Sequence, residues 1–204
     1  MKKAHGFTFV EIAIVLIIIG LLLGSVLKGQ ELITNAKIKN LEGNFQSIVQ
    51  AISIYQERYH ALPGDDGNAT RFNGISSAQN GDNNGKIDDA FNSEDLNKES
   101  RLVWLHLRYA NLVAKTLSQD MQEQPHNVFN GIIGVSSDSN KNGAQGENIP
   151  LFIGFTKIPG NVAIALESRL DDLQADMGRI RSNLINYEGD RSTPKEEHNL
   201  YFAF

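Results

Sequence analysis

Glu11 is the one charged residue in an otherwise apolar stretch near the start of the chain. Every other residue from Phe7 to Leu27 is apolar, small or threonine. A charged group inside a membrane-spanning segment costs about 3 kcal/mol or more, so a function and a partner of opposite charge are expected for it. Lys2 and Lys3 lie outside the apolar stretch, so the cation must come from elsewhere. The predicted chemistry is ion pairing at a membrane-embedded helix.

A second candidate site lies in the loop AQNGDNNGKIDDAF. Oxygen-bearing side chains alternate there as they do in calcium-binding loops, because Ca²⁺ prefers six to eight oxygen ligands. The predicted ligands are Asn80, Asp82, Asn84, the backbone carbonyl of Lys86, and Asp88. Gly85 allows the tight turn, but Phe91 replaces the bidentate glutamate of an EF-hand. The sequence predicts a weaker calcium-binding turn, completed by Asp89 or by a distant carboxylate.

Two further polar segments allow a metal or a simpler interpretation. The segment SDSNKNGAQGE repeats the loop pattern with Asp138, Asn140, Asn142 and Gly143. The alternative for both loops is an ordinary turn without a metal, because turns are rich in Asn, Asp, Gly and Ser. Asp171 and Asp172 form an acidic pair that is either a set of metal ligands or a solvated helix end.

The sequence contains no motif for catalysis. It has no G-x-S-x-G, no phosphate-binding glycine loop and no H-E-x-x-H, and it has no cysteine to act as a nucleophile. His106 has no second metal-ligating residue type near it in the sequence, so it is expected to pack in the core together with Trp104. We therefore expect a protein that is not an enzyme.

The apolar stretch predicts a membrane-spanning helix. The predicted membrane segment is residues 7–28, and its 21 residues from Phe7 to Leu27 would span roughly 31 Å as a helix, enough to cross a bilayer. A secretory signal has a shorter apolar core and a small-residue cleavage site, which this stretch lacks. Lys2 and Lys3 precede the helix, which predicts a cytoplasmic N-terminus and a C-terminal domain on the opposite side of the membrane.

The helix is predicted to continue beyond the membrane as an amphipathic segment, residues 29–60. Its apolar residues recur at helical spacing, and the members of this seam are Ile38, Leu41, Phe45, Ile48, Ile52, Tyr55 and Tyr59. Pro63-Gly64 prevents the helix from continuing. Residues 61–204 are predicted to form a loop-rich globular head.

Within the head, the sequence predicts two more helices and a short antiparallel sheet, which is an α+β fold. The first helix is expected over about 94–120, with Ser93 as its N-cap. The second helix follows Pro159 and ends near Asp172. Strands are predicted around 127–137, at 150–158 and at 178–187. The tail from Gly189 is expected to be disordered or to add an edge strand.

The charge and the composition of the chain limit the classes of partner that it can bind. The formal net charge is −5 and no cluster of Lys and Arg is present, which argues against nucleic acid as a partner. The absence of cysteine means that no disulfide stabilises the outer domain, although that domain is expected to face an oxidising compartment.

The N-terminal segment KKAHGFTFVEI resembles the leader and cleavage site of type IV prepilins and of the pseudopilins of type II secretion. The resemblance implies that residues 1–6 are a leader and that prepilin peptidase cuts between Gly6 and Phe7. The same enzyme would N-methylate Phe7. Glu11 occupies the fifth mature position, where the family has the glutamate that pairs with the amino terminus of a neighbouring subunit.

The resemblance also implies the partners and the location of the protein. The partners are other copies, related pilin subunits and an inner-membrane assembly platform. The chain would reside in the bacterial inner membrane and then in a filament. Major pseudopilins carry a structural calcium, which adds weight to a bound calcium ion here.

Two questions stay open at this stage. The filament is either a surface pilus or a secretion pseudopilus. The missing cysteines, the ALPGD turn and the predicted calcium loop favour a pseudopilin or minor pilin. The alternative from another class is a membrane-anchored calcium-binding or adhesive module that never polymerises.

Overall fold

The structure is a computed structural model that describes residues 8–114, 120–139, 141–146, 149–184 and 197–204. The chain divides into two compact units, Met1–Lys39 and Asn40–Phe204. Among the described residues it contains a long helix, two shorter helices, two 3₁₀ turns and a four-stranded sheet. The predicted α+β class is therefore confirmed.

Helix α1 extends from Phe9 to Tyr59, in agreement with the long helix predicted from the sequence. The backbone leaves the helical conformation at His60, whose φ of 54° lies in the left-handed region. Pro63 follows three residues later, and a helix could not include it without losing a backbone hydrogen bond.

The part of α1 within the second unit buries one face. Leu41, Ile48, Ile52 and Tyr55 are each less than a tenth exposed. These residues follow the 3–4 spacing of the predicted apolar seam, which places them on one side of the helix. The seam is therefore confirmed here as part of the core.

The sheet consists of four antiparallel strands in the spatial order β1-β2-β4-β3. The strands are β1 (Ile133–Ser136), β2 (Phe152–Pro159), β3 (Ile180–Ser182) and β4 (Glu197–Ala203). The C-terminal segment thus forms an inner strand, paired with β2 on one side and with β3 on the other. The prediction of an edge strand or a disordered tail was wrong for residues 197–203. The cause is long-range pairing, because the buried residues of β4, including Leu200, Tyr201 and Phe202, fit between β2 and β3.

Helix α2 is shorter than predicted, running from Glu99 to Tyr109. It begins late because the Asp95 carboxylate accepts the backbone N–H of Asn97 at 3.0 Å, which stabilises a turn. The N-cap is Lys98, so the prediction for Ser93 was wrong.

The end of α2 is set by Asn111, whose φ is 57°. The Leu112 amide donates to the Leu107 carbonyl at 2.9 Å and the Asn111 amide to the Arg108 carbonyl at 3.1 Å. These two bonds form a Schellman motif, which ends a helix at a left-handed residue. The apolar residues after Asn111 suggested a longer helix, and this prediction was wrong.

The remaining elements differ from the predictions mainly at their boundaries. Helix α3 (Gly160–Leu170) follows Pro159 as expected. Strand β1 starts later than predicted because the Asn127 side chain accepts the amides of Phe129 and Gly131, at 2.8 and 3.2 Å, and closes a turn. Strand β3 covers Ile180–Ser182, and residues 185–187 of the predicted strand lie outside the described residues.

Candidate functional sites

The first candidate site is the start of α1, where Glu11 lies in the first turn. The Glu11 Oε2 atom accepts hydrogen bonds from the Thr8 backbone N–H at 2.7 Å and from the Thr8 hydroxyl at 2.9 Å. The Glu11 amide donates in return to Thr8 Oγ at 3.3 Å. This reciprocal arrangement is a capping box, which satisfies amides that have no partner within the helix. The predicted cleavage and methylation residues, Gly6 and Phe7, lie outside the described residues.

The first unit exposes an apolar surface. Phe9, Leu16, Leu21 and Leu27 are between 64% and 89% exposed. An 18-residue window of α1 has a mean hydropathy of 2.8, and α1 is the one helix among the described residues that is long and apolar enough to cross a membrane. Such a surface requires lipid or other apolar chains as its environment. These features are consistent with a membrane-anchored protein.

The second candidate site is a cluster of three carboxylates in the second unit, here called the acidic cluster. It consists of Asp65, Asp82 and Glu99, whose ligand atoms all lie within 4.8 Å of one another. Asp65 lies in the turn after α1, Asp82 lies in the predicted calcium loop, and Glu99 begins α2. The fold therefore brings together three residues that are far apart in the sequence.

Backbone amides of the loop hold the acidic cluster in place. The two Asp65 oxygens accept the amides of Asn84 and Gly85 at 2.9 and 2.8 Å. The two Glu99 oxygens accept the amides of Asp82 and Asp88 at 3.0 and 2.9 Å. The loop thus wraps around two buried or half-buried carboxylates, and oxygen donors of this type suit a hard cation such as Ca²⁺.

The electrostatics of the acidic cluster oppose full ionisation. Burial raises the pKa of Asp65, the hydrogen bonds from two loop amides lower it, and the nearby Asp82 carboxylate raises it further. Burial also raises the pKa of Glu99, with additional increases from the charges of Asp65 and Asp82. A bound cation would remove this penalty, because an opposite charge favours the ionised carboxylates.

The predicted calcium ligands take different positions in the loop. Asp82 belongs to the acidic cluster, whereas Asn80 Oδ1 accepts the Thr70 amide at 3.2 Å. Asn84 Oδ1 accepts the Lys86 amide at 2.8 Å. The Asn84 side-chain amide donates to the carboxylates of Asp82 and Asp88, at 3.0 and 3.1 Å. Calcium binding by this loop stays a prediction, and Asp65 and Glu99 are distant carboxylates that the fold brings close to Asp82.

The other polar segments are bound into local structure. Asn142 Oδ1 accepts the Phe91 amide at 2.8 Å, and Lys141 pairs with Asp138 at 3.2 Å. Asn140 lies outside the described residues. At the end of α3, ligand atoms of Glu167, Asp171 and Asp172 lie within 4.8 Å of one another, and Asp171 accepts the Ile180 amide at 2.6 Å.

A buried polar network next to the acidic cluster supports the turn that carries Asp65. The adjacent residue, Asp66, accepts the Tyr55 hydroxyl at 2.6 Å and pairs with Arg71 through two hydrogen bonds, at 2.5 and 3.0 Å. His106 Nδ1 accepts the Gly64 amide at 2.9 Å, and its Nε2 lies 2.9 Å from the Gln79 carbonyl. These bonds imply a neutral imidazole that carries its proton on Nε2 and fixes both loops.

Comparison with protein families identified one match. Residues 1–27 match the prokaryotic N-terminal methylation motif, the signature of type IV pilins and pseudopilins. Comparison with curated proteins and with solved structures gave no match. The match covers the predicted leader, the predicted cleavage position and residues 9–27 of α1, so it bears on the first candidate site and not on the acidic cluster.

Proposed function

We propose that this chain, which carries the pilin and pseudopilin signature at its N-terminus, is a structural subunit of a type IV pilus or a type II secretion pseudopilus. Prepilin peptidase cleaves it between Gly6 and Phe7 and methylates Phe7. The observation that carries the proposal is the methylation motif at residues 1–27, joined to a single carboxylate in the exposed apolar segment 9–27 of α1.

In the proposed filament, Glu11 pairs with the amino terminus of an adjacent copy. Cleavage before Phe7 creates a positive charge only four residues from Glu11 in sequence. In a bundle of apolar helices, each charge alone would be strongly unfavourable, and the two attract strongly when they are close. The pair therefore fixes the axial register between neighbouring helices more than it adds stability.

The experiment is the substitution Glu11→Ala in the full chain, expressed in a bacterium that has the assembly machine. Removing one member of a buried ion pair typically costs about 3–5 kcal/mol, so incorporation into filaments should fall about 100-fold or more. Membrane insertion and cleavage should remain. Unchanged incorporation at an equal level of cleaved protein would refute the register role.

The proposed topology follows from the same segment. Before assembly, the chain spans the inner membrane once, with its N-terminus in the cytoplasm and its C-terminal domain in the periplasm, since Lys2 and Lys3 precede the apolar stretch. Its partners are the peptidase, the assembly platform, other copies and related pilin subunits. The subunit has a structural role and not a catalytic one.

Two outcomes separate the proposal from its alternatives. Copurification with surface fibres would indicate a pilus, whereas copurification with a secretion channel would indicate a pseudopilus. A membrane-anchored calcium-binding or adhesive module would instead remain monomeric in the membrane after cross-linking, at expression levels at which a pilin forms ladders of oligomers.

We also propose that the acidic cluster binds calcium and thereby stabilises the loop that joins α1 to α2. The support is the donor set: three carboxylates from three parts of the chain converge within 4.8 Å, and burial raises the pKa of two of them. Thermal unfolding with calcium and with EDTA tests this proposal, and a stability that is equal in both would refute it.

A further inference from the structure

The hydrogen bonds at the start of α1 are unevenly shared between the two oxygens of Glu11. Both donors of Thr8, its amide and its hydroxyl, contact Oε2. No hydrogen bond reaches Oε1 from the part of the chain that the structure describes. An ionised carboxylate has about four acceptor positions, so the described hydrogen bonds leave Oε1 available to another donor.

The contact with Thr8 restrains the position of the whole carboxylate. A glutamate side chain gives up as much as about 2 kcal/mol of rotamer freedom when it is fixed in one geometry. Thr8 makes three hydrogen bonds with Glu11, so part of this entropy is lost before a neighbouring subunit arrives. A binding group that is already ordered loses less on association.

We infer that the two oxygens of Glu11 have separate tasks and that Thr8 is the positioning residue that separates them. Oε2 belongs to the capping box of its own helix, while Oε1 accepts the amino terminus of the adjacent copy. The inference rests on the proposed function, because it needs the ammonium group of a cleaved neighbour. It adds that the register pair depends on a hydroxyl-bearing residue at the second position of the cleaved chain.

The first test compares Thr8→Val with Thr8→Ser in the full chain, next to wild type. Valine has the shape of threonine but removes the hydroxyl, whereas serine keeps it. At equal levels of cleaved protein, measured by intact mass, Thr8→Val should lower incorporation into filaments about fivefold, which corresponds to a capping loss of about 1 kcal/mol. Thr8→Ser should restore incorporation to within about twofold of wild type.

The outcomes of this test separate two failures. If Glu11→Ala lowers incorporation and Thr8→Val does not, the positioning role is refuted and the proposed function stands. If Glu11→Ala leaves incorporation unchanged, the proposed function is refuted as well. Equal losses in Thr8→Val and Thr8→Ser would also contradict the inference, because serine can make the same hydrogen bonds.

The second test needs no assembly and keeps the inference falsifiable if a Thr8 variant is poorly cleaved. The full-length mature chain is labelled with ¹⁵N-threonine in detergent micelles, and the hydrogen exchange of the Thr8 amide is measured. Loss of the Oε2 acceptor in Glu11→Ala should accelerate this exchange about tenfold or more, while Thr34, farther along α1, stays unchanged. Equal exchange of the Thr8 amide in both proteins would show that the capping box does not form.

Discussion

Replacing Asp82 by asparagine should change stability in opposite directions with and without calcium. Asp82 lies within 4.8 Å of two carboxylates, from Asp65 and Glu99. At that distance two unit charges repel by about 1 kcal/mol in water and by about 3.5 kcal/mol at an effective dielectric constant of 20. Because Asp82 is exposed, the lower figure applies, and salt reduces it further.

Without calcium, the Asp82→Asn variant should therefore be more stable than wild type. A gain of about 1 kcal/mol corresponds to a rise in melting temperature of roughly 2–4 °C for a chain of this size. The asparagine keeps one side-chain oxygen, which can still accept the Asn84 amide that Asp82 Oδ1 accepts at 3.0 Å. The gain thus reports the loss of repulsion from two carboxylates, less the bond that the Asn84 side-chain amide donates to the other Asp82 oxygen at 3.0 Å.

With calcium, the order should reverse. A ligand at 100 times its dissociation constant stabilises the native state by about 2.7 kcal/mol, or roughly 5–11 °C here. Wild type should show this gain, whereas Asp82→Asn should lose most of it. The assay is thermal unfolding of the chain from residue 30 onward, followed by circular dichroism in EDTA and in excess calcium.

The pH dependence of the unfolding free energy is an independent test of the acidic cluster. The pKa values of Asp65 and Glu99 are raised in the folded state, mainly by burial, so the native protein binds more protons than the unfolded chain just above their ordinary values. In EDTA, this contribution to the unfolding free energy falls as the pH rises through that window. Calcium should remove this decrease in wild type.

The matched control is Asp95→Asn, which removes one exposed carboxylate outside the acidic cluster. The asparagine introduced there keeps an oxygen to accept the Asn97 amide, so the turn before α2 should persist. This variant should behave as wild type with respect to calcium. The predicted repulsion within the acidic cluster is refuted if Asp82→Asn is less stable than wild type in EDTA. Calcium binding by the acidic cluster is refuted if calcium raises the melting temperature of Asp82→Asn as much as that of the control.

Two further predictions concern the network beside the acidic cluster. Tyr55→Phe removes the hydroxyl that donates to buried Asp66. The free energy of unfolding, measured in urea, should therefore fall by about 1.5–3 kcal/mol. The control Tyr59→Phe should change this free energy by less than about 0.5 kcal/mol. Burial lowers the pKa of His106 in the folded state. The neutral His106 side chain therefore contributes to stability above the unfolded pKa of histidine, about 6.5. This contribution is lost as the pH falls toward the folded pKa of His106. His106→Gln should reduce the stability lost between about pH 7 and pH 5; an equal loss in both proteins would contradict the neutral, buried imidazole.

Local patterns in the sequence predicted the parts of the fold that depend on local structure. The 3–4 spacing of apolar residues predicted α1, and the segment after Pro159 predicted α3. The errors at both ends of α2 arose from single residues, since Asp95 closes a turn and Asn111 adopts a positive φ. The inner position of β4 depends on pairing with β2 and β3, which periodicity along one strand does not reveal.

The two candidate sites also differ in whether the local sequence predicts them. The Thr8-x-x-Glu11 spacing is a capping-box signature, and it could have predicted the contact between these two residues. The sequence alone gave no basis for grouping Asp65 and Glu99 with Asp82, because their proximity depends on how the loop folds between α1 and α2.

The central claim is that a mature amino terminus at Phe7 pairs with Glu11 of a neighbouring copy. The most direct measurement is the intact mass of the natural protein purified from membranes and from sheared filaments. The account predicts a chain that begins at Phe7 and carries one added methyl group in both fractions. A chain that keeps Met1, or one trimmed beyond the apolar stretch, would leave no amine at that position and would contradict the account.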